Sequence, residues 1–157
     1  MKHRLGIVVD ADIDPETRWK AIQDRLREAG YNSVPDSPNS TGTILREGDL
    51  PVVGIWLMPN NKIPGMLEDF VSLLRPQEDI LWPVAVNVVQ QVKDIETKLR
   101  FHDVHESKAR VHTWLAWQRE PGKPIGQAIT KGYLKADAAL AQQFIDWIRM
   151  LFDLELV

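Results

Sequence analysis

The stretch Leu5-Gly6-Ile7-Val8-Val9-Asp10-Ala11-Asp12-Ile13-Asp14 decides the fold class, because an apolar, β-branched run breaks off there at three alternating aspartates. Apolar residues and glycine in unbroken succession read as a strand buried on both faces, the pattern of a central parallel strand in an α/β protein. Its acids then stand at the carboxyl end. In open α/β sheets ligands bind in the crevice beyond that end, so Asp10, Asp12 and Asp14 lie where chemistry is usually found. Carboxylates crowded together repel, and a divalent cation that takes oxygen ligands, Mg²⁺ or Mn²⁺, relieves the repulsion most directly. The competing account is an acidic strand-to-helix loop with Asp14 as the N-cap ahead of Pro15. That account explains Asp14 fully and Asp10 and Asp12 less well.

Composition narrows the classes. With 157 residues, 44% hydrophobic and 26% charged, and a formal charge of -3, the chain is expected to be one globular domain spanning 1–157. The absence of cysteine excludes disulfides, thiolate zinc sites and a cysteine nucleophile. Met1-Lys2-His3-Arg4 leads into an apolar run too short for a secretory signal, and no stretch reaches the ~20 apolar residues that span a bilayer. A cytoplasmic protein with no membrane partner is expected. No basic patch announces nucleic acid, but a bound cation inverts the local field, so the mild acidity does not decide against phosphodiesters.

Along the chain, Glu16 to Ala29 carries Trp19, Ile22, Leu26 and Ala29 at helical spacing, with Gly30 as the stop. Tyr31 to Val34 reads as a short strand, residues 36–42 as a surface loop and Thr43 to Arg46 as a weak strand. Pro51 to Met58 is the second strong apolar run. If the two strong strands are parallel neighbours, Asn60, Asn61, Glu68 and Asp69 come to the same edge as Asp10 and Asp12. Gly65 to Leu74 is a short amphipathic helix; Glu68 and Asp69 in its first turns fit either a helix N-terminus or a metal role. Ile80 to Val92 is a buried helix with Pro83 in its first turn. His102, Asp103, His105 and Glu106 give only a weak metal signal. Ser107 to Gln118 is a helix with Ser107 as N-cap, on which Lys108 and His112 share a face. Glu120 to Gly126 is a turn-rich structural loop, and Asp137 to Phe152 is the last helix. The tryptophans fall at helical core positions and read as packing anchors rather than base-stacking platforms.

Taken in order, LGIVVDADID, VVGIWLMPNNKIPGMLEDF and SKARVHTWLAWQREPGKPIGQAI resemble an uncharacterised prokaryotic family grouped with the Toprim-like domains, and the resemblance covers most of the chain. Toprim domains are found in topoisomerases, primases and OLD-type nucleases. The resemblance implies a Rossmann-like, mostly parallel sheet flanked by helices. It further implies Mg²⁺ or Mn²⁺ held by Asp10, Asp12 and, as the later acid of the OLD-type arrangement, Glu68. Lys108 would steady charge on the phosphate. In that family a glutamate also lies on a strand well before the Asp-x-Asp, whereas here four residues precede the strand that carries Asp10. Glu47-Gly48-Asp49 comes too late in the chain to replace it. Two expectations stand: either the natural protein begins earlier, or this chain is a Toprim-type sheet lacking its first strand, whose exposed edge favours a homodimer or a partner chain.

The function that follows is metal-dependent, nuclease-like action on nucleic-acid phosphodiesters, with little or no turnover in the absence of the upstream glutamate. Two alternatives stand beside it. A haloacid-dehalogenase-like phosphatase would use Asp10 as nucleophile and Asp12 as general acid around Mg²⁺. A binding or regulatory module would keep the fold without catalysis.

Overall fold

The computed structural model describes residues 3–154. In chain order they form β1 (Arg4–Asp10), α1 (Pro15–Glu28), β2 (Thr43–Leu45), β3 (Val52–Met58), α2 (Leu67–Leu73), α3 (Leu81–Lys93), α4 (Glu106–Ala116), α5 (Ile125–Thr130) and α6 (Ala139–Phe152), with a short 3-10 turn over Asp103–His105. The protein is mixed α/β. Its described residues gather into two units, one of residues up to Phe70 with those from Ala139 onward, the other Val71–Ala138.

In the first unit the strand order is β1-β3-β2. β1 runs parallel to β3 from Arg4↔Val52 to Asp10↔Met58, and β2 pairs antiparallel with β3 from Thr43↔Ile55 to Leu45↔Val53. The sheet is therefore mixed. The central strand is β3, every residue of which is buried. β1, read from sequence as central, lies instead at an edge, with Leu5 53% and Val8 45% exposed. A continuous apolar run signals hydrophobic neighbours above and below the sheet; it does not report whether a further strand lies alongside.

Side-chain alternation builds three layers. Ile7, Val9, Val53, Ile55 and Leu57 pack against Trp19, Ile22 and Leu26 of α1. On the opposite face Trp56 meets Phe144 and Trp147 of α6 at ring distances of 5.1 and 5.8 Å. Gly54 lets α6 approach: a Cβ there would lie 2.6 Å from Leu151 Cδ2. Tyr31–Val34 forms no strand, although Tyr31 and Val34 are buried in the α1-side core. Tyr31 O–H donates to the Pro51 carbonyl at 2.7 Å, a connection that needs no ladder.

In the second unit, Glu106 at the start of α4 pairs with Lys93 of α3 and with Arg110. Trp82 of α3 packs edge-on against Trp114 of α4 at 6.3 Å, with the Arg75 guanidinium over the Trp82 ring. Ser107 is not the cap of α4; the helix begins at Glu106 and His105 occupies the N-cap position. The Glu120–Gly126 segment gives way at Ile125 to α5, a helix the sequence reading missed. Among the described residues no helix is long and apolar enough to cross a membrane.

Candidate functional site at the carboxyl end of β1

Asp14 caps α1 through its side chain. Its carboxylate accepts from the Thr17 amide at 3.0 Å and from the Thr17 hydroxyl at 2.6 Å, and the hydroxyl bond is the chief reason its carboxyl sits below the ordinary range. The cap, with Pro15 following it, fixes where α1 starts. Chain connecting a parallel strand to a helix must turn sharply, and Asp12 makes the turn at a left-handed φ of 56° that aspartate tolerates better than most residues.

The segment after β3 locks this turn from the other side. Asp12 N–H donates to Gly65 O at 2.9 Å and Gly65 N–H returns a bond to Asp12 O at 2.7 Å. Gly65 has a φ of 143°, and a Cβ on it would lie 2.7 Å from Asp69 Oδ2 and 3.0 Å from Pro59 Cδ. Leu67 N–H, at the start of α2, donates to Asp10 Oδ1 at 2.9 Å, while Asp69 Oδ2 accepts from Met66 N–H at 2.8 Å. Asn61, also at a left-handed φ, is buried; its side-chain oxygen accepts from Leu57 N–H, and its amide Nδ2 has no partner among the described residues. The segment after β3 thus meets the end of β1 through Gly65 and Leu67, while Asn60, Asn61, Glu68 and Asp69, expected at this edge, are not among the residues lining the crevice there.

That crevice, of about 420 Å³, is lined by Asp10, Asp12, Arg18, Val8, Val9, Met58 and Leu67. Asp12 pairs with the Arg18 guanidinium, and both side chains are well exposed. Arg18 is the site residue that sequence reading passed over. The available signal was its position on the first turns of the helix that follows an acidic loop. Glu68 sits in the first turn of α2, buried, and is not among the residues lining the crevice. Lys108 lies on α4, in the second unit.

The chemistry of the donor set decides what such a crevice can hold. Among the described residues no group of three or more His, Asp or Glu side chains is arranged to hold a metal ion. Mg²⁺, however, keeps several waters and commonly binds through one or two carboxylates completed by a ligand's phosphate. Asp10 and Asp12 fit that smaller requirement. The Arg18–Asp12 pair does not forbid it, since an exposed ion pair is worth roughly 0–1 kcal/mol. The His102–His105 pair fits no cation site: the rings are 6.4 Å apart, Asp103 is bound to Arg100, and Glu106 is bound to Lys93 and Arg110.

Compared with known protein families, residues 2–153 match the family described as Protein of unknown function (DUF3226). No curated protein matches the chain, and no solved structure does.

Proposed function

Given that the chain belongs to the DUF3226 family over nearly its whole length, we propose that it is a Toprim-like domain whose β1 crevice binds a divalent cation together with a phosphate of nucleic acid. The observation that carries this reading is that Asp10 and Asp12 line one crevice at the carboxyl end of a parallel strand pair, with a guanidinium beside them. Asp10 and Asp12 would hold Mg²⁺ or Mn²⁺. When bound, such an ion neutralises charge on a phosphodiester and lowers the pKa of a coordinated water. Arg18, released from Asp12, presents the planar donor fork suited to phosphate. Glu68 and Lys108 are assigned supporting roles by resemblance alone.

The site is tested by titrating the protein with Mg²⁺ and with Mn²⁺, alone and with a short oligonucleotide, by calorimetry and by Mn²⁺ electron paramagnetic resonance. Binding in the wild type that is lost in Asp10→Asn and Asp12→Asn supports the proposal. Arg18→Gln sharpens it: removing the competitor raises cation affinity by at most about fivefold, the ceiling for an exposed pair, while oligonucleotide binding weakens. Absence of cation binding in the wild type would overturn it.

A second reading is favoured by a specific observation. Asp10 already accepts from Leu67 N–H and Asp12 already meets Arg18, as in a module that keeps the fold without turnover. Plasmid nicking with Mn²⁺ separates the two, since the module binds without nicking. A phosphatase would instead release phosphate from small monoesters and trap an acyl-phosphate on Asp10.

A further inference from the structure

We infer that β1 is a dimerisation strand, pairing antiparallel with β1 of a second copy to join two three-stranded sheets into one. The backbone phase is the first argument. Val52 N–H donates to His3 O and Ala11 N–H donates to Met58 O, so in this parallel ladder the odd-numbered residues of β1 turn their amides and carbonyls toward β3. The even-numbered residues, Gly6 and Val8 at the centre, turn theirs to the open edge. Leu5, Gly6 and Val8 are exposed along this seven-residue, mostly apolar edge, and such an edge is a template for another strand.

The sequence of the strand, RLGIVVD, selects the partner and the register. It begins with a cation and ends with an anion, so a parallel copy would set like charges side by side. An antiparallel copy centred on Ile7 sets Arg4 opposite Asp10 of the partner subunit at both ends. The same register puts Gly6 opposite Val8 of the partner subunit as a hydrogen-bonded pair, which the outward phase of the even residues requires. Registers shifted by two residues keep the phase but lose the charge match and part of the length. Within its own subunit the Arg4 guanidinium pairs with the exposed Asp153 and donates to the Leu151 carbonyl, and a solvated pair of this kind is weak enough to be shared with a partner carboxylate.

The packing faces agree with that register. Leu5, Ile7 and Val9 line an apolar groove of about 460 Å³ between the edge and α1, floored by Ile22, Leu26 and Val53. In an antiparallel pair directly opposed residues share a face, so Leu5 and Val9 of the partner subunit continue this groove across the axis. Arg18 and Arg25 rim it, the Arg18 guanidinium reaching on to Asp12.

The full chain is measured by size-exclusion chromatography with light scattering at about 100 μM, a concentration at which a small strand-to-strand interface of micromolar affinity is occupied. Twice the monomer mass is expected. Val8→Pro removes one outward N–H, puts a ring on the open edge and spares the β3 ladder, a placement edge strands tolerate; it is expected to be monomeric with an unchanged far-ultraviolet spectrum. Leu5→Lys, at an exposed position, repeats the test without touching the backbone. Hydrogen exchange reads the register: the Gly6 and Val8 amides are slow in the dimer and at least tenfold faster in Leu5→Lys. A monomeric wild type, a dimer that survives both substitutions, or fast exchange at Gly6 and Val8 in a wild-type dimer would each overturn the inference.

Discussion

Of the three alternating aspartates, each has a different occupation, and neighbouring backbone decides which. Asp14 is spent on Thr17, Asp12 turns the chain and meets Arg18, and Asp10 receives the first amide of α2. Asp14→Ala is expected to lower the melting temperature at neutral pH. Because Asp14 is held below its ordinary pKa of 3.8, its contribution is complete above that value and fades as the pH falls through the lower folded one, so the two proteins' melting curves converge in acid. Gly65→Ala meets two obstacles, a positive φ and the Asp69 carboxylate, and is expected to cost roughly 1–3 kcal/mol in chemical denaturation. It should also weaken cation binding, since the paired bonds between Gly65 and Asp12 set the turn. The Asp-x-Asp was legible as a strand-end feature because the apolar run before it is unambiguous. Arg18 was not, because a single basic residue on a helix face gives no sign of which carboxylate it will meet.

Elements were legible where one period dominates and illegible where a tertiary partner decides. The α1 and α6 boundaries follow from an N-cap with proline and from a long amphipathic face. Tyr31–Val34 has β-forming residues but stays irregular, because its buried side chains and the Glu47 carboxylate satisfy it: Glu47 accepts from the Asn32 and Ser33 amides at 2.7 and 3.0 Å. α5 is short and opens after a proline inside a turn-rich segment, so composition concealed it. The seat of α6 on β3 depends on small residues. A Cβ at Gly54 would press on Leu151, giving Gly54→Ala a cost of about 1–3 kcal/mol through overpacking. Leu151→Ala, at a fully buried position, should cost about 2–5 kcal/mol through the cavity it leaves. Since the added methyl occupies space the truncation vacates, the double variant is expected to fall short of the summed losses by about 0.5–3 kcal/mol in urea melts. Strict additivity would mean that Gly54 and Leu151 do not share that space.

For the molecule as a whole, each unit carries at least one group that fails in acid, Glu47 and Asp14 in the first and Glu120 in the second, and one that fails in alkali, so the pH limits of stability are built into both. In the first unit Glu47 is held below its usual 4.5, chiefly by the Ser33 amide and then by the Asn32 side chain, while burial raises the Tyr31 hydroxyl above 10.0, with the Glu47 charge adding to it. In the second, Glu120 is lowered by Lys131 first and Lys123 next, and Lys131 is raised above 10.5 by the same bond to Glu120. A depressed carboxyl stabilises above its unfolded pKa and loses that contribution as pH falls through the folded one. A raised tyrosine or lysine stabilises below its unfolded pKa and loses the contribution as pH rises through the folded one. Melting temperature is therefore expected to hold a plateau at intermediate pH and to drop below about 4 and above about 10. Substitution separates the limbs. Tyr31→Phe removes the first unit's alkaline share and should flatten the high-pH fall while leaving the acid limb in place. Glu120→Gln removes both partners' contributions in the second unit at once, flattening both limbs by a small amount because these side chains are solvated. Circular dichroism melts of the three proteins from about pH 2 to pH 11 measure this directly. An alkaline limb that is the same in wild type and Tyr31→Phe would show that the Tyr31–Pro51 contact contributes nothing to the alkaline limit.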